Sequence, residues 1–344
     1  MRIGVLTAGG DCPGLNAAIR AVARSAMQQG DEAIGIRRGY RGLAEDDYLP
    51  LDMRTVGGIL HLGGTILSTS SFEPIRENAV DRVKRAFEEQ RLDAVAAIGG
   101  EHTMEITRQL HAEYGLPLVG VPKTIDNDVG GTDFTFGFDT AVQIVTDAID
   151  RLHTTAQSHD RIMVVEVMGR TTGWIAAYAG LAGGADGIVI PETTTTVEDV
   201  AADVMRRHDR GKDFSIIVVA EGAKLAFADG EERLIQPIKD SDEYGYPRLG
   251  GIGAALGAAL ESRTGYETRV TVLGHVQRGG TPTSTDRILA TRFGAFAYEL
   301  AKAGEFGKMA ALHGTEMVGI PLEQAAEVKP LDLEVLEIAK RFFT

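Results

Sequence analysis

The sequence predicts an α/β chain of two three-layer lobes with mostly parallel sheets. Length is the first reason: 344 residues is long for a single core. Pattern is the second, because short apolar runs of strand length alternate with segments of helical period. Glycine is the third. Its 42 residues follow no collagen-like period and suit many tight strand–helix turns. The formal net charge of −14 argues against nucleic acid or an anionic membrane as a partner. An anionic substrate therefore needs a local group of arginines. Cys12 is the single cysteine, so no internal disulfide framework or cysteine-based zinc site is expected. The opening residues read as a strand, not a signal peptide, and no apolar run is long enough to span a bilayer. A cytoplasmic setting is the expectation.

Ile3–Leu6 reads as the first buried strand, followed by Thr7-Ala8-Gly9-Gly10-Asp11-Cys12-Pro13-Gly14. Proline at a helix opening is pre-organised and gives up no needed donor. Leu15, Ala18, Ile19, Val22, Ala23 and Ala26 then share one helical face. Strand, Gly-rich turn and helix in succession present backbone N–H groups and a helix N-terminus to phosphate. A Gly-Gly turn alone serves structural bends as often, and the strand–helix setting is what favours phosphate. Residues 33–36 form a second strand, and Gly63-Gly64-Thr65-Ile66-Leu67-Ser68 is another turn leading to Ser71, Phe72 and Arg76. A helix over about 78–90 carries Val80, Val83, Lys84 and Phe87 at helical spacing. Ala94–Ile98 is a third strand, and it enters Gly99-Gly100-Glu101-His102-Thr103, which repeats the first junction.

Leu116–Val121 is a further buried strand, and Pro122 is expected to end its ladder by removing a donor. If Lys123 to Asp128 stay extended, Thr124, Asp126 and Asp128 share one face. A hydroxyl and two carboxylates then stand at a strand mouth, where open α/β sheets bind ligands. Such a pair could position a nucleophile and hold a metal. Asp and Asn also make plain turns, so the neighbouring motifs decide between the two readings. Phe134, Phe136 and Phe138 are expected in the core, before a helix over about 139–153.

From Arg161 a second lobe is expected, with strands Ile162–Val167, Gly187–Ile190 and Ser215–Ala220. Threonines 193–196 lead to a helix N-cap with Glu198 and Asp199 in its first turn. The polar stretch 224–248, broken by Gly and Pro, reads as a surface excursion. Gly250–Leu260 is a Gly/Ala-rich helix, Arg269–Leu273 a late strand, Asp286–Ala303 a helix and Leu331–Phe343 a terminal helix.

Several strand ends finish in charged residues: Glu166-Val167-Met168-Gly169-Arg170, Ala220-Glu221-Gly222, and His275 to Arg278. Arginine's planar fork matches phosphate oxygens, although each arginine could equally pair with a surface acid. As a set, opposite two Gly-rich turns, they favour a phosphate ligand. A metal here is expected to be a hard ion held by carboxylates and phosphate oxygens, that is Mg²⁺.

Taken together, Gly9 to Asn16, Gly99-Gly100-Glu101, Pro122 to Asp128, Phe136 to Ala141, Glu166 to Arg170, Ala220-Glu221-Gly222 and Leu273 to Gly280 resemble the phosphofructokinases. The resemblance is to the short bacterial group whose members use either ATP or pyrophosphate. It implies two Rossmann-like lobes and phosphoryl transfer to the 1-hydroxyl of fructose 6-phosphate, a step of glycolysis. By motif, Asp126 looks like the base that accepts the hydroxyl proton, with Thr124 and Arg170 on the transferring group. Asp128 and Glu101 would hold Mg²⁺, where the family often has Asp in place of Glu101. Met168, Gly169, Glu221, His275 and Arg278 would hold the sugar phosphate. Arg161 and Arg269 correspond to residues that reach across a subunit interface, which implies a homo-oligomer, usually a tetramer. Gly10, Cys12, Tyr40, Gly99, Gly100, His102, Thr103 and Lys123 would face the donor. The implied lobes are 1–138 with 253–304 for the donor and 139–252 with 305–320 for the sugar phosphate, with 321–344 as a C-terminal helical extension.

The chain departs from the family chiefly at the donor. ATP users carry Gly, and pyrophosphate users Asp, where this sequence has His102. An imidazole fills the room a third phosphate needs but brings no negative charge. Lys123 matches the pyrophosphate users, yet ATP users in the group carry it too. Ile106 replaces a Gly beside the ribose, and Ser71 replaces an Arg on the donor phosphates. Sterics lean toward pyrophosphate or an unusual donor. Arg20, Arg24, Arg210, Lys212 and Asp186 resemble an effector site, with His153 in place of an Arg; plain surface charge is the equal alternative. Residues 9–14 give Gly-Gly-x-x-x-Gly and not the dinucleotide fingerprint. A catalytically silent regulator of the same fold, or a kinase for another sugar phosphate such as sedoheptulose 7-phosphate, are the remaining alternatives.

Overall fold

The computed structural model describes residues 1–226, 232–233, 238–241, 247–248 and 250–343. The chain divides into two units, residues 1–140 with 278–329 and residues 141–277 with 330–344. Its elements begin with β1 (Arg2–Thr7), α1 (Leu15–Gln28), β2 (Glu32–Ile36), α2 (Tyr40–Glu45), β3 (Tyr48–Pro50), α3 (Val80–Glu89), β4 (Ala94–Gly99), α4 (Glu101–Tyr114), β5 (Leu118–Thr124) and β6 (Phe136–Gly137). Next come α5 (Phe138–His159), β7 (Ile162–Val167), α6 (Trp174–Ala182), β8 (Gly187–Val189), β9 (Thr195–Thr196), α7 (Val197–Asp209) and β10 (Ser215–Ala220). After these stand the short strands β11 (Leu225–Ala226), β12 (Glu232–Arg233), β13 (Ile238–Ser241) and β14 (Pro247–Arg248). The rest comprises α8 (Ile252–Thr264), β15 (Thr268–Val272), a 3₁₀ turn (Gly274–Arg278), α9 (Ser284–Lys302), β16 (Lys308–His313), β17 (Glu316–Pro321), α10 (Leu322–Ala325) and α11 (Leu333–Lys340).

The first unit is built on a sheet of order β17-β16-β5-β4-β1-β2-β3, with β6 also on β5. Its centre is parallel, and antiparallel β3 and β17 close the two edges. β4 is buried throughout, which explains why its sequence is a continuous apolar run and not an alternating one. Leu6, Ile36, Tyr40, Val83, Leu110 and Leu118 pack in its principal core. Gly294 lets α9 approach α1, since a Cβ there would lie 2.5 Å from the Ala18 carbonyl oxygen. The chain moves outward one way from β1 to β2 and the other way from β4 to β5, so the order reverses between β1 and β4. That reversal leaves a crevice at the carboxyl ends of these two strands.

The second unit carries an all-parallel sheet of order β15-β7-β10-β8. Ile162, Val164, Val204, Ile217, Leu256 and Leu260 form its core. The expected N-cap on α7 is present: Thr196 Oγ1 accepts from the Asp199 N–H at 3.0 Å.

Several expectations need correction. β5 does not stop at Pro122 but runs to Thr124, with Pro122 opposite Gly99. β16 accompanies β5 only as far as Gly120, so a residue without an N–H is tolerated beyond it. The extended run also ends early, because Asn127 takes a left-handed conformation with φ 51°. Strict alternation therefore does not reach Asp128. Phe136 and Phe138 are buried, whereas Phe134 is 39% exposed and stacks on Phe138. Residues 253–277, assigned above to the donor lobe, lie in the second unit because β15 pairs with β7. Residues 305–320 lie in the first, because β16 pairs with β5. The stretch 321–344 is divided: α10 belongs to the first unit and α11 packs on α6 in the second. The excursion at 224–248 falls largely outside the described residues. Among the described residues no helix is long and apolar enough to cross a membrane.

Candidate active site

Both Gly-rich turns of the first unit sit at the reversal of its sheet, one after β1 and one after β4. Gly14 caps α1 at φ 107°, and a Cβ there would lie 2.7 Å from the Phe136 ring. Only glycine serves at that position. Gly10 is fixed by its neighbours: a side chain on it would land on the Arg278 guanidinium, and its carbonyl accepts from Lys123 Nζ. Arg278 in turn donates to the Asp11 carbonyl at 3.3 Å. Lys123 is 4% exposed, and burial lowers its pKa. Two cations thus back the first turn, which offsets the acidity of the chain where a phosphate would sit.

The second turn opens α4, with Gly100 as its N-cap and Glu101 in its first turn. Unpaired N–H groups at such an end attract anions. A Cβ on Gly100 would lie 3.5 Å from the Lys123 carbonyl oxygen, so this helix start lies beside the end of β5. His102, the second residue of α4, keeps 38% of its side chain exposed, with Nε2 3.8 Å from Glu73 Oε2.

At the end of β5 the chain bends. The Asp126 N–H donates to Thr124 Oγ1 at 3.0 Å, and the Thr124 carbonyl accepts from Thr135 Oγ1 at 2.9 Å. Asn127, fully buried, accepts the Thr135 N–H at 3.0 Å. Asp128 is buried, and its Oδ1 has no hydrogen-bond partner among the described residues. Burial first, then the charges of Asp126 and Glu101, push its pKa well above the usual carboxylate range. A buried acid crowded by two like charges, with one oxygen unused, fits a hard divalent cation. No group of three or more His, Cys, Asp or Glu closes into a metal site among the described residues. A Mg²⁺ ion would therefore complete its shell with water and substrate oxygens, as this metal ordinarily does.

The second unit gathers its candidates at the carboxyl ends of β7, β10 and β15. Met168 and Gly169 follow β7, Glu221 follows β10, and His275 follows β15. Gly169 has φ 135°, and its carbonyl accepts the Gly222 N–H at 3.0 Å. Gln277, fully buried, binds two strand ends: Oε1 accepts the Met168 N–H at 3.3 Å and Nε2 donates to the Gly274 carbonyl at 3.0 Å. Arg170 continues the first of these ends. Arg161 and Arg269 stand at the opposite, amino end of the same sheet, where Glu267 pairs with both.

Residues 2–301 match the Phosphofructokinase family model. The chain belongs to the phosphofructokinase family. It is 52% identical over 334 residues to "ATP-dependent 6-phosphofructokinase 3" of Streptomyces coelicolor, covering 95% of each chain. It is 51% identical over 346 residues to "Pyrophosphate--fructose 6-phosphate 1-phosphotransferase" of the same organism, covering 100% of each. Among solved structures, phosphofructokinase from Saccharomyces cerevisiae superposes with a TM-score of 0.78 at 30% identity, over 99% of this chain and 46% of that one. A pyrophosphate-dependent phosphofructokinase from Nitrosospira multiformis shares the fold, with a TM-score of 0.83 at 20% identity over 96% and 86% of the two chains.

Within this phosphofructokinase, the structure collects Gly10, Lys123 and Arg278 around one turn and Thr124, Asp126, Asp128 and Glu101 around the next. It does not bring every expected residue to the surface. Tyr40 is fully buried, with its hydroxyl 2.6 Å from Thr107 Oγ1, so its ring belongs to the core and not to a donor site. Cys12 is also fully buried; its thiol faces the Pro13 and Phe136 carbonyls, and burial raises its pKa. Thr103 and Ile106 point into the packing of α4. Asn127, Gln277 and Asn16 were missed. Asn16 holds the Gly63 turn, accepting the Ile66 N–H at 2.9 Å and donating to the Leu62 carbonyl at 3.1 Å. A sequence signal existed for Asn127 alone, since Asn tolerates the left-handed region.

Proposed function

We propose that the protein is a fructose-6-phosphate 1-phosphotransferase that takes its phosphoryl group from ATP or pyrophosphate. The observation that carries this reading is the Thr124–Asp126–Asp128 turn beside the N-terminus of α4, at the reversal of the sheet. Asp126 accepts the proton of the sugar 1-hydroxyl. Backbone N–H groups of the two Gly-rich turns receive the donor phosphates, with Lys123 and Arg278 supplying positive charge behind them; Arg278, expected above on the sugar phosphate, is read here with the donor because its guanidinium lies against Gly10 and the Asp11 carbonyl. Asp128 and Glu101 would hold Mg²⁺, which when bound neutralises charge on the phosphate oxygens. Thr124 and Arg170 act on the transferring group, and Met168, Gly169, Glu221 and His275 on the sugar phosphate. Transfer of this kind is mostly positioning and charge stabilisation, which is what such a set provides.

His102 favours pyrophosphate over ATP, because its ring stands at the helix start where a third phosphate needs room. Two further features support a homo-oligomer with shared sites. Arg161 and Arg269 lie one strand length, roughly 20 Å, from Met168 and His275 on the same sheet. They therefore serve a ligand on a second copy and not the one held at the other end of their own sheet. β15 is an edge strand with Val272 59% exposed, and Val276 just beyond it is 60% exposed. A second copy would cover them.

Initial rates with fructose 6-phosphate and either Mg·ATP or Mg·pyrophosphate test the assignment. Asp126→Asn should lower kcat by about 10³-fold while the KM for fructose 6-phosphate changes little. Full turnover in that variant would refute the role of Asp126.

A further inference from the structure

After α10 the chain lies along the acidic turn. The Gly130 N–H donates to the Glu327 carbonyl at 2.9 Å, and the Lys329 N–H donates to the Asp128 carbonyl at 2.8 Å. Between them Val129 and Val328 form an isolated antiparallel bridge. Gly130 allows this approach, since a Cβ there would lie 2.8 Å from the Glu327 carbonyl oxygen. The Lys329 side chain then reaches further along the same loop. Its Nζ donates to the Thr132 carbonyl at 2.8 Å and to the Asp133 carbonyl at 2.9 Å. Apart from that bridge, residues 125–135 contain no helix or strand, so separate bonds of this kind must hold their shape. Burial lowers the Lys329 pKa to about 8, with Asp133 and Asp128 acting the other way. A half-buried ammonium that donates to two successive carbonyls fastens the loop locally; without it the Asp133 carbonyl keeps only the longer bond from Asn127 Nδ2 at 3.4 Å.

We propose that Lys329 is a positioning residue for phosphoryl transfer, pinning the 128–133 loop so that Asp126 and Asp128 keep their places at the end of β5. The proposal rests on the reading of Asp126 and Asp128 given above. Lys329 touches neither substrate nor metal; it acts through the main chain of the loop. A lysine that served only general stability would lower the unfolding midpoint and leave the kinetics of the folded enzyme alone.

The test compares Lys329→Met and Lys329→Arg in the full chain, by steady-state kinetics and by amide hydrogen exchange of the 126–135 peptide. Lys329→Met should lower kcat by about ten- to a hundredfold, the scale of a small misplacement of catalytic groups, with the KM for fructose 6-phosphate within about twofold. Exchange in that peptide should accelerate while that in β1 and β4 stays as before. Lys329→Arg, which can still donate to both carbonyls, should recover most of the rate. If Lys329→Met does not fold, Lys329→Gln carries the same comparison. Faster loop exchange with unchanged kcat overturns the proposal and leaves the functional reading standing, as does unchanged exchange. Full turnover of Asp126→Asn overturns the functional reading instead.

Discussion

Asp286 is a carboxylate with no exposed surface. Its Oδ2 accepts from the Thr140 N–H at 2.8 Å and from Thr140 Oγ1 at 2.5 Å, and Thr140 Oγ1 in turn accepts the Thr283 N–H at 3.0 Å. Burial outweighs these bonds and raises its pKa from 3.8 to about 6. The folded state therefore holds this proton more tightly than the unfolded chain does. Below about pH 4 both states are protonated and the group is neutral to stability. Between about pH 4 and pH 6 the folded state progressively loses about 3 kcal/mol relative to an uncharged isostere, and above that the loss is constant. Urea midpoints of the wild type and Asp286→Asn, compared from pH 4 to pH 7, should diverge in favour of the variant as pH rises. At this scale the sequence is least informative. Asp286 stood only as the first residue of an expected helix, and Tyr40 as a donor contact, because a side chain's burial depends on elements far away in the chain. Asn127 was the exception, since its left-handed backbone is a local preference.

At the scale of elements, local chemistry carried more. The two strand–glycine–helix junctions and the parallel strands β7 and β10 were readable from apolar runs and turn residues alone. β5 was misjudged at Pro122, because whether a missing N–H matters depends on where β16 leaves its side. The proposed donor preference rests on helix α4. His102 is its second residue, 38% exposed, and its imidazole lies 3.8 Å from Glu73. Glycine at this position clears the helix start and weakens the helix by up to about 1 kcal/mol. His102→Gly should raise kcat/KM for ATP about tenfold relative to pyrophosphate, measured with each donor at saturating fructose 6-phosphate. An unchanged ratio would show that the ring does not set the choice.

For the whole molecule, the sheet of the second unit separates its two sets of polar residues by the length of a strand. The proposed sharing of sites between copies can be tested by mixing. A variant lacking Arg161 and Arg269 and the Asp126→Asn variant should each be nearly inactive alone. Co-expressed, they should regain about a quarter of wild-type activity, because half of the random pairs carry one complete site. No recovery would argue for sites built from a single chain. The resemblance implied that both lobes are discontinuous but exchanged residues 253–277 and 305–320 between them, since a strand's partner is not written in its own residues. That discontinuity shapes how the chain is made. β5 is synthesised long before β16, which lies beside it. At ordinary elongation rates the gap of roughly 180 residues leaves the nascent sheet with a raw border for on the order of ten to forty seconds. Residues 141–277, which hold every strand of the β15-β7-β10-β8 sheet, emerge in that interval and can settle first. The ribosome thus delivers the later unit's framework before the earlier one is whole, and crowding by other unfinished chains is most dangerous in that wait.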